Sequence, residues 1–118
     1  MLFRSYPRFM DLNKSIALDA PIAADRLTRG QPKSGTISTS ENNDKKFYCG
    51  QWAADAGAWR VSYTEEELCV ILSGSGKLIA EDGTIFPFKA GDAFVIPSGF
   101  KGDWDNAEPV RKIYAIVE

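Results

Sequence analysis

The sequence predicts an all-β domain, a sandwich or jelly-roll barrel, on three observations. From Lys46 onward, short runs rich in aromatic and β-branched residues alternate with turn residues at close spacing. Glycines, prolines and the Asp82-Gly83 pair mark the reversals between those runs. No segment after residue 46 has the periodicity of a helix of three turns. Strands spaced in this way are typical of sandwiches and jelly-roll barrels.

Length, charge and composition indicate one globular domain. The 118 residues carry a net charge of −2 and a pI near 5.2, so no positive field favours nucleic acid or an acidic membrane surface. No apolar run approaches the roughly 20 residues of a membrane span, and the N-terminus lacks the continuous apolar stretch of a secretory signal. Cys49 and Cys69 lie in apolar surroundings that suit reduced thiols. We therefore expect a cytoplasmic protein that binds neither nucleic acid nor membrane.

The sequence contains no histidine. Histidine is the commonest general base and the commonest ligand for transition metals, so both kinds of chemistry lose their usual residue. Ser-His and Cys-His catalysis are excluded within one chain. Any reaction must use carboxylates, tyrosine, lysine, cysteine or backbone groups, and we expect no cofactor.

The chain divides into an N-terminal arm and loop, residues 1–46, and a β-barrel domain, residues 47–118. Residues 25–46 are rich in Gly, Pro, Ser, Thr, Asn and charge, a composition typical of loops. Residues 18–27 form either a short strand or one turn of helix. The arm either wraps the barrel or adds a strand to a neighbouring subunit, and a partly disordered tail over residues 1–14 is the alternative.

Within the barrel domain the turns are easier to place than the pairings. Asp82-Gly83 predicts a hairpin, and Pro87 belongs on an edge strand or a bulge. The glycine-rich residues 73–76 predict a tight reversal. Strands are expected over residues 47–53, 59–63, 68–72, 77–80, 84–88, 93–96, 100–104 and 111–117.

Two spaced motifs resemble those of the cupin superfamily, in its small single-domain EutQ-like branch (DUF861, or cupin_3). Glu67, six residues and Gly74 match the second half of the first cupin motif. Counting back from Glu67 places Val61 and Tyr63 where that motif has its two histidines. The second motif is matched over its length, with glycine at the histidine position: Gly91, Pro97, Gly99, Gly102 and Asn106. The resemblance covers about residues 47–118 and implies a double-stranded β-helix, the RmlC-like jelly-roll barrel, and a homodimer.

The resemblance also implies a metal site that this chain does not reproduce. Cupin sites use three histidines and one carboxylate, and only the carboxylate, Glu67, is present. One carboxylate does not hold a transition metal without further ligands. An oxygen site for Mg²⁺ or Ca²⁺ at Glu65 and Glu67 would need partners that the sequence does not indicate. We expect no metal bound through histidine.

The candidate site follows from alternation along the strands around Glu67. Period-2 alternation puts Cys69 and Ile71 on the face of Glu67, and glycine at position 102 is expected to leave space beside it. We predict two catalytic residues, Glu67 and Tyr63, and a ligand-binding set of Trp59, Cys69, Phe100, Trp104 and Lys112. A buried carboxylate with a raised pKa suits general acid or base catalysis.

Each of these residues also has a structural interpretation. Glu67 is alternatively a buried carboxylate satisfied by Tyr63, a backbone N–H or a lysine, and Cys69 is alternatively an inert buried thiol. Lys112 either faces inward, toward Glu67 or a substrate carboxylate, or is a solvated charge on an edge strand. The aromatic residues either line a pocket or build the core.

Three functions remain open on the sequence alone. The chain binds or converts a small polar metabolite in the barrel without a His-bound metal, and the resemblance favours amine or amino-acid metabolism. Alternatively it is a non-catalytic ligand-sensing or interaction cupin with a filled barrel. A metal enzyme completed by ligands from a partner chain is the third. Space beside Glu67 favours the first function, and a barrel plugged by Trp104 and Phe100 favours the second.

Overall fold

The computed structural model describes residues 5–42 and 44–118, and the strands account for most of them. A short 3₁₀ turn at Ala24–Arg26 is the only helical segment in these ranges. The strands are β1 (Ala20–Pro21), β2 (Leu27–Arg29), β3 (Lys33–Glu41), β4 (Phe47–Ala54), β5 (Gly57–Ser62), β6 (Glu66–Ser73), β7 (Ser75–Ala80), β8 (Ile85–Lys89), β9 (Ala93–Ile96), β10 (Lys101–Asn106) and β11 (Val110–Val117).

Two antiparallel sheets pack face to face. The six-stranded sheet has the order β1-β3-β4-β11-β6-β9, and the five-stranded sheet has the order β2-β5-β10-β7-β8. Strands that follow one another in the chain repeatedly change sheet, as in a jelly roll. The predicted all-β jelly-roll barrel is confirmed.

The turn residues predict the hairpin at Asp82-Gly83 correctly, but the reversal expected at residues 73–76 connects strands of different sheets. Strands β7 and β8 pair antiparallel across Asp82-Gly83, where Gly83 has a φ of +89° that favours glycine. Pro87 lies on β8, an edge strand of the five-stranded sheet, as predicted. The reversal at residues 73–76 does not fold β7 back onto β6, because β6 belongs to the six-stranded sheet and β7 to the five-stranded one.

The N-terminal segment contributes more strand than its composition suggests. Residues 33–41, expected to be loop, form β3 and pair with β4, so that expectation is wrong for this stretch. Thr and Ile in this stretch suit a strand, but its polar residues are also common in loops, so composition alone does not predict the strand. Residues 18–27 contain both predicted forms, a two-residue strand and one 3₁₀ turn. The division of the chain at residue 46 stays a prediction.

The segment before β1 lies against the outer surface of the six-stranded sheet. The Gln51 Nε2 atom on β4 donates a hydrogen bond to the Asp11 carbonyl oxygen at 3.1 Å. A Cβ atom at Gly35 on β3 would overlap the Ala17 carbonyl oxygen, so glycine permits this close approach. Residues 1–4, which belong to the predicted arm, lie outside the described residues.

The core fills the space between the two inner faces. Trp104, Cys69, Ile71, Ile96 and Val110 are almost completely buried there. On β6, residues 67, 69 and 71 are buried, and the alternate residues 68, 70 and 72 are exposed or half-buried. This alternation places Glu67 inside the barrel, as the sequence predicts.

Candidate functional site

A buried ion pair lies inside the barrel on two adjacent central strands. The Lys112 Nζ atom on β11 is 2.7 Å from the Glu67 Oε2 atom on β6, and both side chains are over nine-tenths buried. Lys112 therefore faces inward, and the alternative of a solvated edge charge is wrong. The physical reason is the position of β11, which lies between β4 and β6 and has no free edge.

Cys69 completes a small polar cluster around the carboxylate. Its Sγ atom donates to Glu67 Oε2 at 3.2 Å, and Lys112 Nζ lies 3.5 Å from the same sulfur. Burial raises the pKa of the Cys69 thiol to about 12, so the thiol stays protonated at neutral pH. A protonated thiol is a poor nucleophile, which leaves Cys69 as a hydrogen-bond donor to Glu67.

Tryptophan rings surround the ammonium group. Lys112 Nζ is 4.4 Å from the Trp104 ring centroid and 4.7 Å from the Trp52 ring centroid, which are cation–π distances. The Trp52 and Trp104 rings meet edge to face at 5.7 Å, and Trp59 lies 6.1 Å from Trp52. These contacts fix the lysine head group and leave it little freedom to turn away.

The ion pair borders a cavity of about 410 Å³ at the mouth of the barrel. Five of the seven predicted site residues line it: Trp59, Tyr63, Glu67, Trp104 and Lys112. The sequence interpretation did not include several others: Ile22, Arg26, Ser34, Thr36, Tyr48, Tyr114 and Ile116. Tyr114 and Ile116 share a face of β11 with Lys112, so strand alternation alone could have found them. Arg26, Ser34 and Thr36 come from the N-terminal segment, whose strand pairing no sequence motif predicts.

Two predicted ligand-binding residues are not among the cavity-lining residues. Cys69 acts behind Glu67, and Phe100 packs edge-on against Tyr63 at 6.3 Å. Phe100 instead lines a second, apolar groove of about 530 Å³ that lies between the edge strands β8 and β9.

Gly102 does not provide the space beside Glu67, so that expectation is wrong. A Cβ atom built at Gly102 would overlap the Ile79 carbonyl oxygen on the neighbouring strand β7. Glycine here permits close strand packing. The cavity beside the ion pair is lined by residues from strands of both sheets and from the N-terminal segment.

The tyrosines of the cavity are neutral hydrogen-bonding groups. Burial, with a further contribution from the nearby Glu67 carboxylate, raises the pKa of Tyr63 far above its usual value. Burial also raises the pKa of Tyr114, and that of Tyr48 to about 12. The Tyr48 hydroxyl donates to Glu118 at 3.1 Å. Tyr63 can therefore donate a proton in a hydrogen bond to a ligand but is not a base at neutral pH.

The donor set does not fit the metal site that the cupin motifs imply. Val61, Tyr63 and Gly102 stand at the three histidine positions, and the Lys112 ammonium already binds the Glu67 carboxylate. Over residues 5–42 and 44–118, no three His, Cys, Asp or Glu side chains are grouped so that they could hold a metal ion. An ammonium group therefore takes the place beside this carboxylate where a cation would bind.

Fold and site together define a jelly-roll domain of the cupin type. The family model described as EutQ-like cupin domain matches residues 41–114, which is more than half of the chain. The protein therefore belongs to the EutQ-like cupin family, as the two motifs indicated. A search of curated proteins found no match. None of the helical segments in residues 5–42 and 44–118 has the length and hydropathy needed to cross a membrane.

Several solved structures share the fold. A protein of unknown function from Pseudomonas syringae pv. tomato, of the DUF861 family, is 19% identical with a TM-score of 0.82 over 92% of this chain. The chain spans about half of that protein, 46% of its length. The Clostridium difficile EutQ protein is 14% identical with a TM-score of 0.71, covering 95% of this chain and 94% of its own. A putative ethanolamine utilization protein Q from Salmonella typhimurium is 22% identical with a TM-score of 0.64, covering 72% and 69%.

Proposed function

We propose that this EutQ-like cupin binds a small polar metabolite inside its barrel without a His-bound metal. If the protein is an enzyme, this metabolite is its substrate. The observation that carries the proposal is the buried Glu67–Lys112 pair at the edge of a 410 Å³ cavity. Cavities of this size suit small ligands. A buried ion pair costs free energy to desolvate, so its position beside open volume supports a role in recognition.

The charges around the cavity favour a zwitterionic ligand. Its lining contains two cationic side chains, Arg26 and Lys112, and two carboxylates, Glu65 and Glu67. An amino acid would place its ammonium near a carboxylate and the tryptophan faces, and its carboxylate near a cation. A related amine would make the first of these contacts. The name of the Salmonella structure, a putative ethanolamine utilization protein, supports the same ligand class by analogy.

In this proposal the predicted catalytic and binding residues have separate roles. Glu67 accepts or transfers a proton while Lys112 stabilises negative charge beside it. Tyr63 donates a hydrogen bond to the ligand, and Trp59 and Trp104 form apolar walls. Cys69 orients Glu67 from behind, and Phe100 holds the ring of Tyr63.

The test is calorimetric titration of the common L-amino acids and short amino alcohols. For each amino acid that binds, its amide lacks the carboxylate and its deaminated acid lacks the ammonium. We expect each loss to weaken binding by about tenfold or more, because one charged contact is removed. The double substitution Glu67→Gln with Lys112→Met keeps the side-chain volumes and should abolish binding. The surface double substitution Arg60→Met with Glu81→Gln removes the pairs of Arg60 with Glu81 at 3.7 Å and with Asp103 at 2.9 Å, outside the cavity lining, and should leave binding unchanged.

One observation favours the alternative, a non-catalytic ligand-sensing or interaction cupin with a filled barrel. The Lys112 ammonium already occupies the space between Trp52 and Trp104 and satisfies Glu67. If no zwitterion binds, and the double substitution at Glu67 and Lys112 changes only stability, the protein is better explained as a non-catalytic interaction cupin. Binding with no product by mass spectrometry, after prolonged incubation, selects the sensing form over the enzyme.

We also propose a cytoplasmic location. Cys49 and Cys69 are both free, and they lie on opposite faces of the six-stranded sheet, where they cannot bond to each other. Cell fractionation that recovers the protein with secreted or membrane material would contradict this.

A further inference from the structure

The cavity is lined by a primary amine whose surroundings suit covalent chemistry. Of the described residues that line the cavity, only Lys112 carries such an amine. Its Nζ atom has four close neighbours: Glu67 at 2.7 Å, Cys69 at 3.5 Å, and the ring centroids of Trp104 and Trp52 at 4.4 and 4.7 Å. All of these except Cys69 also line the cavity. The thiol therefore lies behind the amine, and the open volume lies on the other side.

Lys112 has the two features by which enzymes turn a lysine into a nucleophile. Its side chain is almost fully buried and packs against two tryptophan rings, so water has little access to the amine. Desolvation in an apolar pocket is one way in which proteins activate a lysine toward carbonyl compounds. The Glu67 carboxylate, at 2.7 Å, can accept the proton that the ammonium must lose before it attacks. The nucleophile and its base are therefore already in contact.

A second cation of the cavity lining is available to bind an anionic group of the ligand. Arg26 lies in the 3₁₀ turn of the N-terminal segment, and among residues 5–42 and 44–118 its guanidinium makes no hydrogen bond or ion pair. Burial raises the pKa of Tyr63 and the Arg26 charge partly offsets that rise, so the guanidinium lies near the Tyr63 hydroxyl. Lys112, by contrast, is already paired with Glu67. A guanidinium binds a carboxylate through two parallel hydrogen bonds, so we expect a ligand carboxylate at Arg26.

We propose that Lys112 forms an imine with the carbonyl carbon of a small 2-oxo acid, whose carboxylate Arg26 binds. The inference rests on the proposed function, because it uses the same cavity and names the class of metabolite that reacts there. A 2-oxo acid keeps the carboxylate of an amino acid and has a carbonyl group where the amino acid has its amine. A cavity of about 410 Å³ accommodates a ligand of this size.

Imine formation needs only the amine, the carbonyl compound and a group that moves protons. The Lys112 ammonium gives a proton to Glu67, and the nitrogen lone pair forms a bond to the carbonyl carbon while the C=O π electrons move to the oxygen. Protons pass through Glu67 to that oxygen, the carbon–oxygen bond breaks, and water leaves. Overall, the ammonium gives two protons to the departing oxygen and becomes an iminium. The positive charge stays beside Glu67, so the buried carboxylate keeps its counter-charge.

Trapping with sodium cyanoborohydride, which reduces iminium ions, tests the imine in the full chain with pyruvate as the probe. The intact mass should increase by that of pyruvic acid less one oxygen atom, and peptide mapping should place the addition on Lys112. Accessibility alone would favour Lys89, whose side chain is 77% exposed against 6% for Lys112. The double substitution Lys112→Met with Glu67→Gln avoids an unpaired buried charge and should leave no addition beyond that at the exposed lysines.

Arg26→Met tests the carboxylate contact at an exposed position. It should slow the trapping of pyruvate about tenfold or more, because one charged contact is removed. It should leave the trapping of hydroxyacetone unchanged, because hydroxyacetone has a similar size and no carboxylate. Arg8→Met is the matched control, since it removes the same charge from an exposed position of the N-terminal segment outside the cavity lining. This control should change neither rate.

Two outcomes would overturn the imine. One is pyruvate that binds by calorimetry and is not trapped on Lys112, in which case the metabolite site of the proposed function stands without the covalent step. The other is an addition that follows side-chain exposure, greatest at Lys89 and absent from Lys112. Trapping on Lys112 in a protein that binds no amino acid would support the imine and remove the zwitterion from the proposed function. The two proposals therefore fail separately. Circular dichroism confirms that each variant is folded.

Discussion

A carboxylate inside this barrel needs compensation for the water it has lost. Moving a charged group into the protein interior costs several kcal/mol even after relaxation. Glu67 receives a 2.7 Å ion pair from Lys112 and a hydrogen bond from Cys69, and the tryptophan faces stabilise the lysine in turn. Charge, hydrogen bond and aromatic faces form one unit, so its members should not contribute independently.

A double-substitution cycle at Glu67 and Lys112 tests that coupling. Glu67→Gln leaves the Lys112 ammonium buried without a counter-charge, and Lys112→Met leaves the Glu67 carboxylate buried without one. Each single substitution should therefore lower the free energy of unfolding by about 3–5 kcal/mol. The combined substitution removes both charges at nearly constant volume and should restore most of the loss. Urea denaturation of the four proteins gives the values.

Glu81→Gln is the control for this cycle, because it removes only the exposed 3.7 Å pair with Arg60, and exposed pairs contribute at most about 1 kcal/mol. If the single substitutions at Glu67 and Lys112 cost no more than this control, the pair is not the buried unit described above.

At the scale of the element, the sequence predicts individual turns and an edge strand, but it does not predict which strands pair. Asp82-Gly83 and Pro87 are signals contained within a few residues, and both predicted the observed strands. The partner of a strand depends on distant residues, so nothing within residues 73–76 indicates that β6 and β7 join different sheets. Strand β3 was missed because Ser, Thr and Gly suit loops and strands alike, and its pairing with β4 decides between them.

The packing of β10 against β7 depends on the absence of a side chain at position 102. A Cβ there would overlap the Ile79 carbonyl oxygen and approach the Ala80 Cα at 3.1 Å, so backbone would have to move. Gly102→Ala should lower the free energy of unfolding by about 1–3 kcal/mol, the usual cost of overpacking. Denaturant midpoints measure it.

Lys101→Ala, at the exposed preceding position of the same strand, should change stability by no more than about 0.5 kcal/mol. Equal midpoints for the two variants would mean that β10 and β7 do not approach each other so closely.

At the scale of the whole molecule, the packing of the two sheets and the N-terminal segment decides which residues line the candidate site. Motif spacing and alternation placed Glu67 and Tyr63 correctly on the inward face, because both signals act within one or two strands. The inward direction of Lys112 depends on β11 being central, and the positions of Arg26 and Thr36 in the cavity lining depend on where the N-terminal segment lies. Such facts follow from the packing of the complete chain and have no signature in any short stretch.

Burial of neutral phenols and a thiol should make the whole molecule sensitive to alkali. The pKa of Cys69 rises from 9.0 to about 12 and that of Tyr48 from 10.0 to about 12, while that of Tyr63 rises further. Each of these three groups loses its proton at a lower pH in the unfolded chain than in the folded chain. Increasing pH therefore favours unfolding. The stability these groups contribute is complete below about pH 9 and is lost as the pH rises toward 12.

Urea denaturation between pH 8 and 11 under reducing conditions measures this effect, with a limiting slope of about 1.4 kcal/mol per pH unit for each proton. Cys69→Ala removes one titrating group and should flatten the curve above pH 9, where the unfolded thiol ionises. Ile71→Val on the same buried face of β6 is the matched control, because it removes a methyl group and no titrating group and should keep the wild-type slope in this range. A wild-type free energy of unfolding that stays constant from pH 8 to 11 would show that the buried thiol and phenols are not held neutral by the fold.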